Sequence, residues 1–159
     1  MNKTLVKSYY MDFVQKEIRN QDLVIRQSVS NFADLIISFI IDYEDMTALK
    51  ELDYSMIKDI VQSNDTENIQ YTLHLLALEP YDVLNWVFYI ESDDFYEPRR
   101  EYLKNEELAE MLNNKNFYNP LTDEKVSKED FSALVNTVFK VSKSFVEKSS
   151  SHDMEGNVL

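Results

Sequence analysis

Residues 83–90 read Val-Leu-Asn-Trp-Val-Phe-Tyr-Ile, and whether they form a strand or a helix decides the fold class of this chain. Their aromatic and β-branched content suits a strand. A short apolar run of this length also suits a buried helical segment, and periodicity alone does not separate the two. Pro80 and Ser92-Asp93-Asp94 bound the run.

Upstream, the reading is helical throughout. Residues 4–19 place Leu5, Val6, Tyr9, Tyr10, Phe13, Val14 and Ile18 at helical spacing. Asn20-Gln21-Asp22 breaks that helix, with Asp22 as the cap of the next. In the second segment Ile25, Val29, Phe32, Ile36, Phe39, Ile40 and Tyr43 form one stripe, and around Leu35 to Ile41 the apolar residues spread beyond it. That pattern predicts a central helix buried on several sides. A third helical region is expected over 46–62, with Asp53 capping its second part, and a fourth over 66–78 after the Ser63-Asn64-Asp65 loop.

Downstream, Pro98 suits the first turn of a helix running to about Asn113. Asn119-Pro120-Leu121-Thr122-Asp123 reads as a turn, and Ser127 as an N-cap. A last helix is expected over 128–148, with Phe131, Leu134, Val135, Val138, Val141 and Phe145 inward. The expected fold is mainly α: a compact helical bundle, with a short strand pair if 83–90 is extended, and α+β as the alternative. Residues 1–148 are expected to form a single globular domain, followed by a flexible polar tail over 149–159.

Composition narrows the function classes. With 44% hydrophobic and 13% aromatic residues among 159, the chain has the means to build a core and is not expected to be disordered. The only glycine is Gly156, so Gly-rich phosphate loops, dinucleotide-binding loops and the usual calcium loop are absent. There is no cysteine, which excludes thiolate chemistry and disulfides. The opening residues lack the apolar run of a signal peptide, and the stretch Phe32–Ile41 falls short of a bilayer span. A soluble cytoplasmic protein is the expectation, with no membrane contact.

The formal net charge is −13, and residues 42–110 hold all of it, with 18 acidic and 5 basic residues. A concentrated negative field suits a basic partner and disfavours direct nucleic-acid binding. The candidate partner-binding residues are Asp42, Glu44 and Asp45, then Asp93, Asp94, Phe95, Tyr96 and Glu97, then Glu106 and Glu110. Phe95 and Tyr96 lie among acids and beside Arg99-Arg100, and aromatics and arginine are enriched at interface hot spots. They equally suit anchors of a loop on the core. Charge runs are also most often solvated, solubilising faces.

No catalytic signature is present. His74 sits among leucines with no partner motif, and Ser151-His152-Asp153 are adjacent in sequence, which is not how a triad is arranged. No zinc-ligand spacing occurs. The clusters Asp42–Asp45 and Asp93-Asp94 offer oxygen atoms to magnesium or calcium, but acids at helix ends commonly cap backbone groups instead. No cofactor, metal or enzymatic activity is expected.

The whole chain resembles the small acidic phage anti-CRISPR proteins, in particular the type II-A class that inhibits a staphylococcal Cas9. The resemblance rests on the opening Met-Asn-Lys-Thr-Leu-Val-Lys-Ser-Tyr-Tyr, the length and the charge. It covers the full chain, contains no diagnostic motif and assigns no residue roles. It implies an inhibitor that binds a Cas9-type effector nuclease, with or without guide RNA, inside a bacterial host. Two mechanisms follow: imitation of DNA phosphates, or a grip on a nuclease domain such as HNH that blocks the movement licensing cleavage. A phosphate mimic suggests a dense carboxylate array, whereas aromatics and five basic residues interrupt this one, which favours the grip. The alternative is an acidic immunity-type or regulatory helical protein that neutralises another basic partner.

Overall fold

A computed structural model describes residues 2–49, 51–92, 96–97 and 99–150. It is mixed α+β: 55% helix still dominates, but 16% of residues are in strands, so the α+β alternative fits better than a pure bundle. The chain divides into two compact units, Met1–Asn85 with Phe139–Leu159, and Trp86–Val138.

The first, helical unit opens with α1 (Lys3–Ile18), capped by Asn2, whose side chain accepts from the Leu5 N–H. Asp22 caps α2 (Leu23–Asp42) in the same way, accepting from Ile25 N–H at 3.1 Å. Such caps satisfy a backbone donor that the helix leaves unpaired. In α2 the residues Val29, Phe32, Ala33, Ile36, Ile37, Ile40 and Ile41 are buried, more than a single stripe. The helix packs against α1 and against α3 (Tyr54–Val61) and α4 (Thr66–Leu75). Full burial of each large aliphatic side chain contributes about 1.5–3 kcal/mol, so α2 is the hub of this unit.

The region 46–62 is helical only from Tyr54 to Val61, where Asp53 caps α3 as expected. Leu52 instead pairs with Phe139 as an isolated antiparallel bridge, with both N–H···O distances at 2.8 Å. The run 83–90 is resolved as a strand, β1 (Leu84–Glu91).

In the second, hairpin unit β1 pairs antiparallel with β2 (Arg100–Leu103), in the register Phe88–Leu103, Tyr89–Tyr102, Ile90–Glu101 and Glu91–Arg100. The helix expected from Pro98 therefore begins only at Asn105, as α5 (Asn105–Asn114). Four residues of strand precede it, a stretch too short to show a period, and Pro98 itself lies outside the described residues. β3 (Phe117–Tyr118) pairs with β4 (Lys125–Val126) across the expected 119–123 turn. There the Asn119 side chain accepts from Leu121 N–H at 2.9 Å and its carbonyl from Asp123 N–H at 2.7 Å. Ile90, Leu103, Met111, Phe117 and Phe131 form the core of this unit.

The single helix expected over 128–148 is a second correction. It is α6 (Lys128–Leu134), capped by Ser127, then β5 (Asn136–Val141), then α7 (Lys143–Ser150). Val135, Val138 and Val141 satisfy a helical spacing, but the β-branched content of Thr137, Val138 and Val141 suits an extended chain. The larger sheet has the order β2–β1–β5. The tail residues 151–159 lie outside the described residues.

Candidate protein-binding surface

The sequence nominates three acidic segments, and their side chains are used differently. Asp42, Glu44 and Asp45 are all exposed at and just after the C-terminus of α2. A carboxylate at a helix C-terminus opposes the helix dipole. Lys3 offsets it, with its Nζ 3.3 Å from Asp42 Oδ1. Asp45 Oδ1 accepts from the Thr47 hydroxyl at 2.6 Å and from the Thr47 N–H at 3.0 Å. The hydroxyl bond first, and then the N–H bond, hold the Asp45 carboxyl below its ordinary range. Two of the three acids thus stabilise a local turn or an ion pair, and Glu44 alone makes no hydrogen bond or ion pair among the described residues.

The second segment is the tip of the β1–β2 hairpin. Asp93, Asp94 and Phe95 lie outside the described residues. Tyr96 is 92% exposed and Glu97 is exposed, so Tyr96 is not a core anchor. Below the tip, the Ser92 N–H donates to Arg99 O at 2.9 Å and extends the ladder. Arg100 pairs with Glu91 at 3.5 Å and lies 4.1 Å from the Tyr89 ring centroid. Tyr89 and Tyr102 sit opposite each other with centroids 5.9 Å apart, and Tyr102 is 46% exposed. Stacking by Arg100 fixes one guanidinium in the hairpin, so its charge is largely spent within the unit.

The third segment is the helix α5. Its Glu106 and Glu110 are exposed, while Leu108 and Met111 face the unit's core. One turn separates the two acids, so they stand on one face. Glu106 and Glu107 lie in the first turn, where the dipole favours negative charge by about 0.3–1 kcal/mol each. Glu107 and Glu110 also line a small cleft of about 140 Å³ with Asn114, Asn116 and Tyr118. The carboxylates of Glu101, Glu106, Glu107 and Glu110 make no hydrogen bond or ion pair among the described residues. Arg99 does not share their helical face, because it precedes a strand. In the sequence Glu101 and Glu107 belong to the same acidic belt as Glu106 and Glu110, whereas nothing there points to Tyr102, because the register of β2 is not readable.

The described residues contain no group of three His, Asp or Glu side chains placed to hold a metal ion. His74 is exposed in the last turn of α4, and its side chain makes no hydrogen bond or ion pair among the described residues. The hairpin unit therefore carries the most coherent candidate surface: unpaired carboxylates on β2 and α5, beside exposed tyrosines. The chain matches no family model, no curated protein and no solved structure.

Proposed function

We propose that the chain is a binding protein of the anti-CRISPR kind, which attaches to a Cas9-type RNA-guided nuclease in the bacterial cytoplasm and blocks DNA cleavage without chemistry of its own. The observation that supports this reading most is the set of exposed carboxylates on β2 and α5 that no basic side chain offsets. Fields of this kind steer association with a Lys- and Arg-rich partner and raise its on-rate. Tyr96 and Tyr102 stand on the hairpin that leads into α5, and exposed aromatics of this type add buried area on docking. Their presence favours a grip on a nuclease domain such as HNH over imitation of a phosphate backbone.

The test is a reconstituted nuclease with guide RNA and target DNA. The expected result is a complex that still binds target DNA but does not cut it. Loss of DNA binding supports mimicry and sinks the grip. Unchanged cutting by every Cas9-type nuclease tried, with capture of another basic protein, supports the immunity-type alternative. Within the grip reading, the double variant Glu106→Lys/Glu110→Lys weakens inhibition by about tenfold or more, since 1.4 kcal/mol is one decade. Its melting temperature falls by only a few degrees, because both side chains are exposed and unpaired and the charge reversal at Glu106 costs on the order of 1 kcal/mol against the helix dipole.

A further inference from the structure

Along α2, Leu23, Arg26, Gln27, Ser30, Asn31 and Asp34 recur at intervals of three and four, which sets them on one side of the helix, beside its buried stripe. With Gln15 of α1 they line an open cleft of about 430 Å³. That volume lies in the range of about 300–1,000 Å³ usual for ligand clefts. Gln15 ties the two helices together there, donating from Nε2 to the Ser30 hydroxyl at 2.6 Å. Gln27 and Asn31 are exposed, and their side chains make no hydrogen bond among the described residues.

Arg26 carries the charge in this cleft that nothing in the fold answers. Its Nε is buried and has no hydrogen-bond partner, and its guanidinium makes no ion pair among the described residues. A buried donor without a partner is costly, and arginine is seldom taken out of water unless paired. The chain has 29 acidic residues against 16 basic ones, so carboxylates are in surplus. The two acids nearest in sequence are nevertheless committed elsewhere. Asp22, four residues before Arg26, caps α2 by accepting from the Ile25 N–H at 3.1 Å. Asp34 lines the cleft, but its carboxylate holds Lys7 Nζ at 2.9 Å and accepts from the Ser38 hydroxyl at 3.3 Å. The cleft therefore presents one unanswered cation, ringed by side-chain amides and a hydroxyl.

We infer that this cleft is a receptor for a carboxylate carried by a peptide, with Arg26 as the group that meets it. A guanidinium offers a planar fork of donors, Nε among them, that matches the two oxygens of a carboxylate. Turning that fork toward the cleft breaks no hydrogen bond, since the side chain makes none, and a bound carboxylate gives the stranded Nε an acceptor. A carboxylate suits the site better than a phosphate, because a net charge of −13 repels a dianion more than a monoanion. The amides of Gln27 and Asn31 each offer donors and an acceptor, which is what a peptide group requires of a neighbour. Leu23, 57% exposed at the cleft, adds an apolar surface for the carbons beside the carboxylate. Every lining residue belongs to the helical unit, so the inference is independent of the hairpin surface and of the partner proposed for it.

The test uses the full chain and an NMR titration that follows the Arg26 Nε–H and the backbone amides at constant ionic strength. The probes are N-acetyl-glutamate amide, which offers a side-chain carboxylate, and N-acetyl-alanine, which offers a terminal one. Acetate, inorganic phosphate and the neutral N-acetyl-glutamine amide complete the set. The expected result is saturable shifts of the Arg26 Nε–H and of the Gln27, Ser30 and Asn31 amides with a capped acid, and the tighter of the two names the source of the carboxylate. Acetate binds about threefold or more weakly, since it has no peptide group to meet the side-chain amides. Capped glutamine gives no saturable shift, because it lacks the charge. Arg26→Met abolishes the shifts and melts no lower than the parent, because it keeps an apolar stem and removes a donor that has no partner. Four outcomes overturn the inference: no saturable shift with either capped acid, equal shifts with capped glutamine, phosphate binding as tightly as the capped acids, or shifts retained in Arg26→Met. A fall in the melting temperature of Arg26→Met, or its failure to fold, also overturns it, since the guanidinium would then be engaged within the fold. Acetate binding as tightly as the capped acids overturns the assignment to a peptide.

Discussion

Among the described residues the helical unit holds 23 of the 30 buried hydrophobic side chains and the hairpin unit holds seven. The first unit sets most of these on helices of up to 20 residues, where one long element such as α2 serves several neighbours. The second joins strands as short as two residues to helices of seven and ten residues around five core side chains. A unit with fewer buried apolar groups per residue opens at lower free energy. The comparison teaches where each function can sit. The candidate carboxylates on β2 and α5 are carried by the lightly cored unit, whereas two of the acids at the end of α2, in the heavily cored unit, are engaged by Lys3 and Thr47.

The largest expected effects test this imbalance directly. Ile36 is fully buried at the centre of α2, and Ile36→Ala costs about 3–5 kcal/mol, read as a fall in the urea midpoint. Met111 is 3% exposed in the small core, and Met111→Ala costs about 2–3 kcal/mol. Hydrogen exchange should show the second cost mainly over residues 86–138. If Met111→Ala lowers protection in α2 as much as Ile36→Ala does, the chain unfolds as one body and the comparison fails.

A smaller effect separates the units by pH. Tyr10 is 2% exposed, with its ring 4.8 Å from Phe145. Burial, and then the neighbouring Tyr9 and Asp82, push its phenol well above the ordinary tyrosine range. The folded state therefore favours the neutral phenol. Its contribution is full below the unfolded value of about 10 and is lost as pH rises above that, at up to about 1.4 kcal/mol per pH unit. Tyr10→Phe removes this alkaline slope from the helical unit. Thermal melts of the parent and of Tyr10→Phe at pH 8 and pH 11 read this slope, and an unchanged alkaline loss in Tyr10→Phe would place the titrating group elsewhere.

The same contrast explains what the sequence made legible. The helices α1 and α2, and the caps Asp22, Asp53 and Ser127, rest on local spacing and local hydrogen bonds, so they were readable. β2 has four residues, too few to display a period, and Pro98 drew a helix over it. β5 was hidden because valines at 135, 138 and 141 fit helical spacing while the chain there is extended. For the surface, the outward placement of Glu106 and Glu110 followed from helical phase alone. The pairing of Asp42 with Lys3, 39 residues away, did not, and neither did the hydrogen bond that the Ser142 hydroxyl donates to the Asp82 carbonyl, 60 residues away. Contacts at that separation are set by tertiary packing, which local pattern does not encode.

The smallest effect uses one device that both units share. With no glycine before residue 156, α3 ends at Gln62 and α5 at Lys115, both left-handed, at φ 52° and 53°. Each N–H still closes the helix end, bonding to Lys58 O and Met111 O respectively. A side chain in this conformation costs about 1–2 kcal/mol, whereas glycine avoids that strain and loses about 0.5–1 kcal/mol to its greater freedom when unfolded. Gln62→Gly and Lys115→Gly are therefore each expected to stabilise their helix by about 0.5–1 kcal/mol. The local gain is the same, but its readout differs. Gln62→Gly should raise the urea midpoint of the helical unit, and Lys115→Gly should slow exchange over residues 86–138 while leaving α2 unchanged. If Lys115→Gly instead slows exchange in α2 as well, the two units share one unfolding transition. The acidic surface would then rest on the whole core rather than on its own five residues.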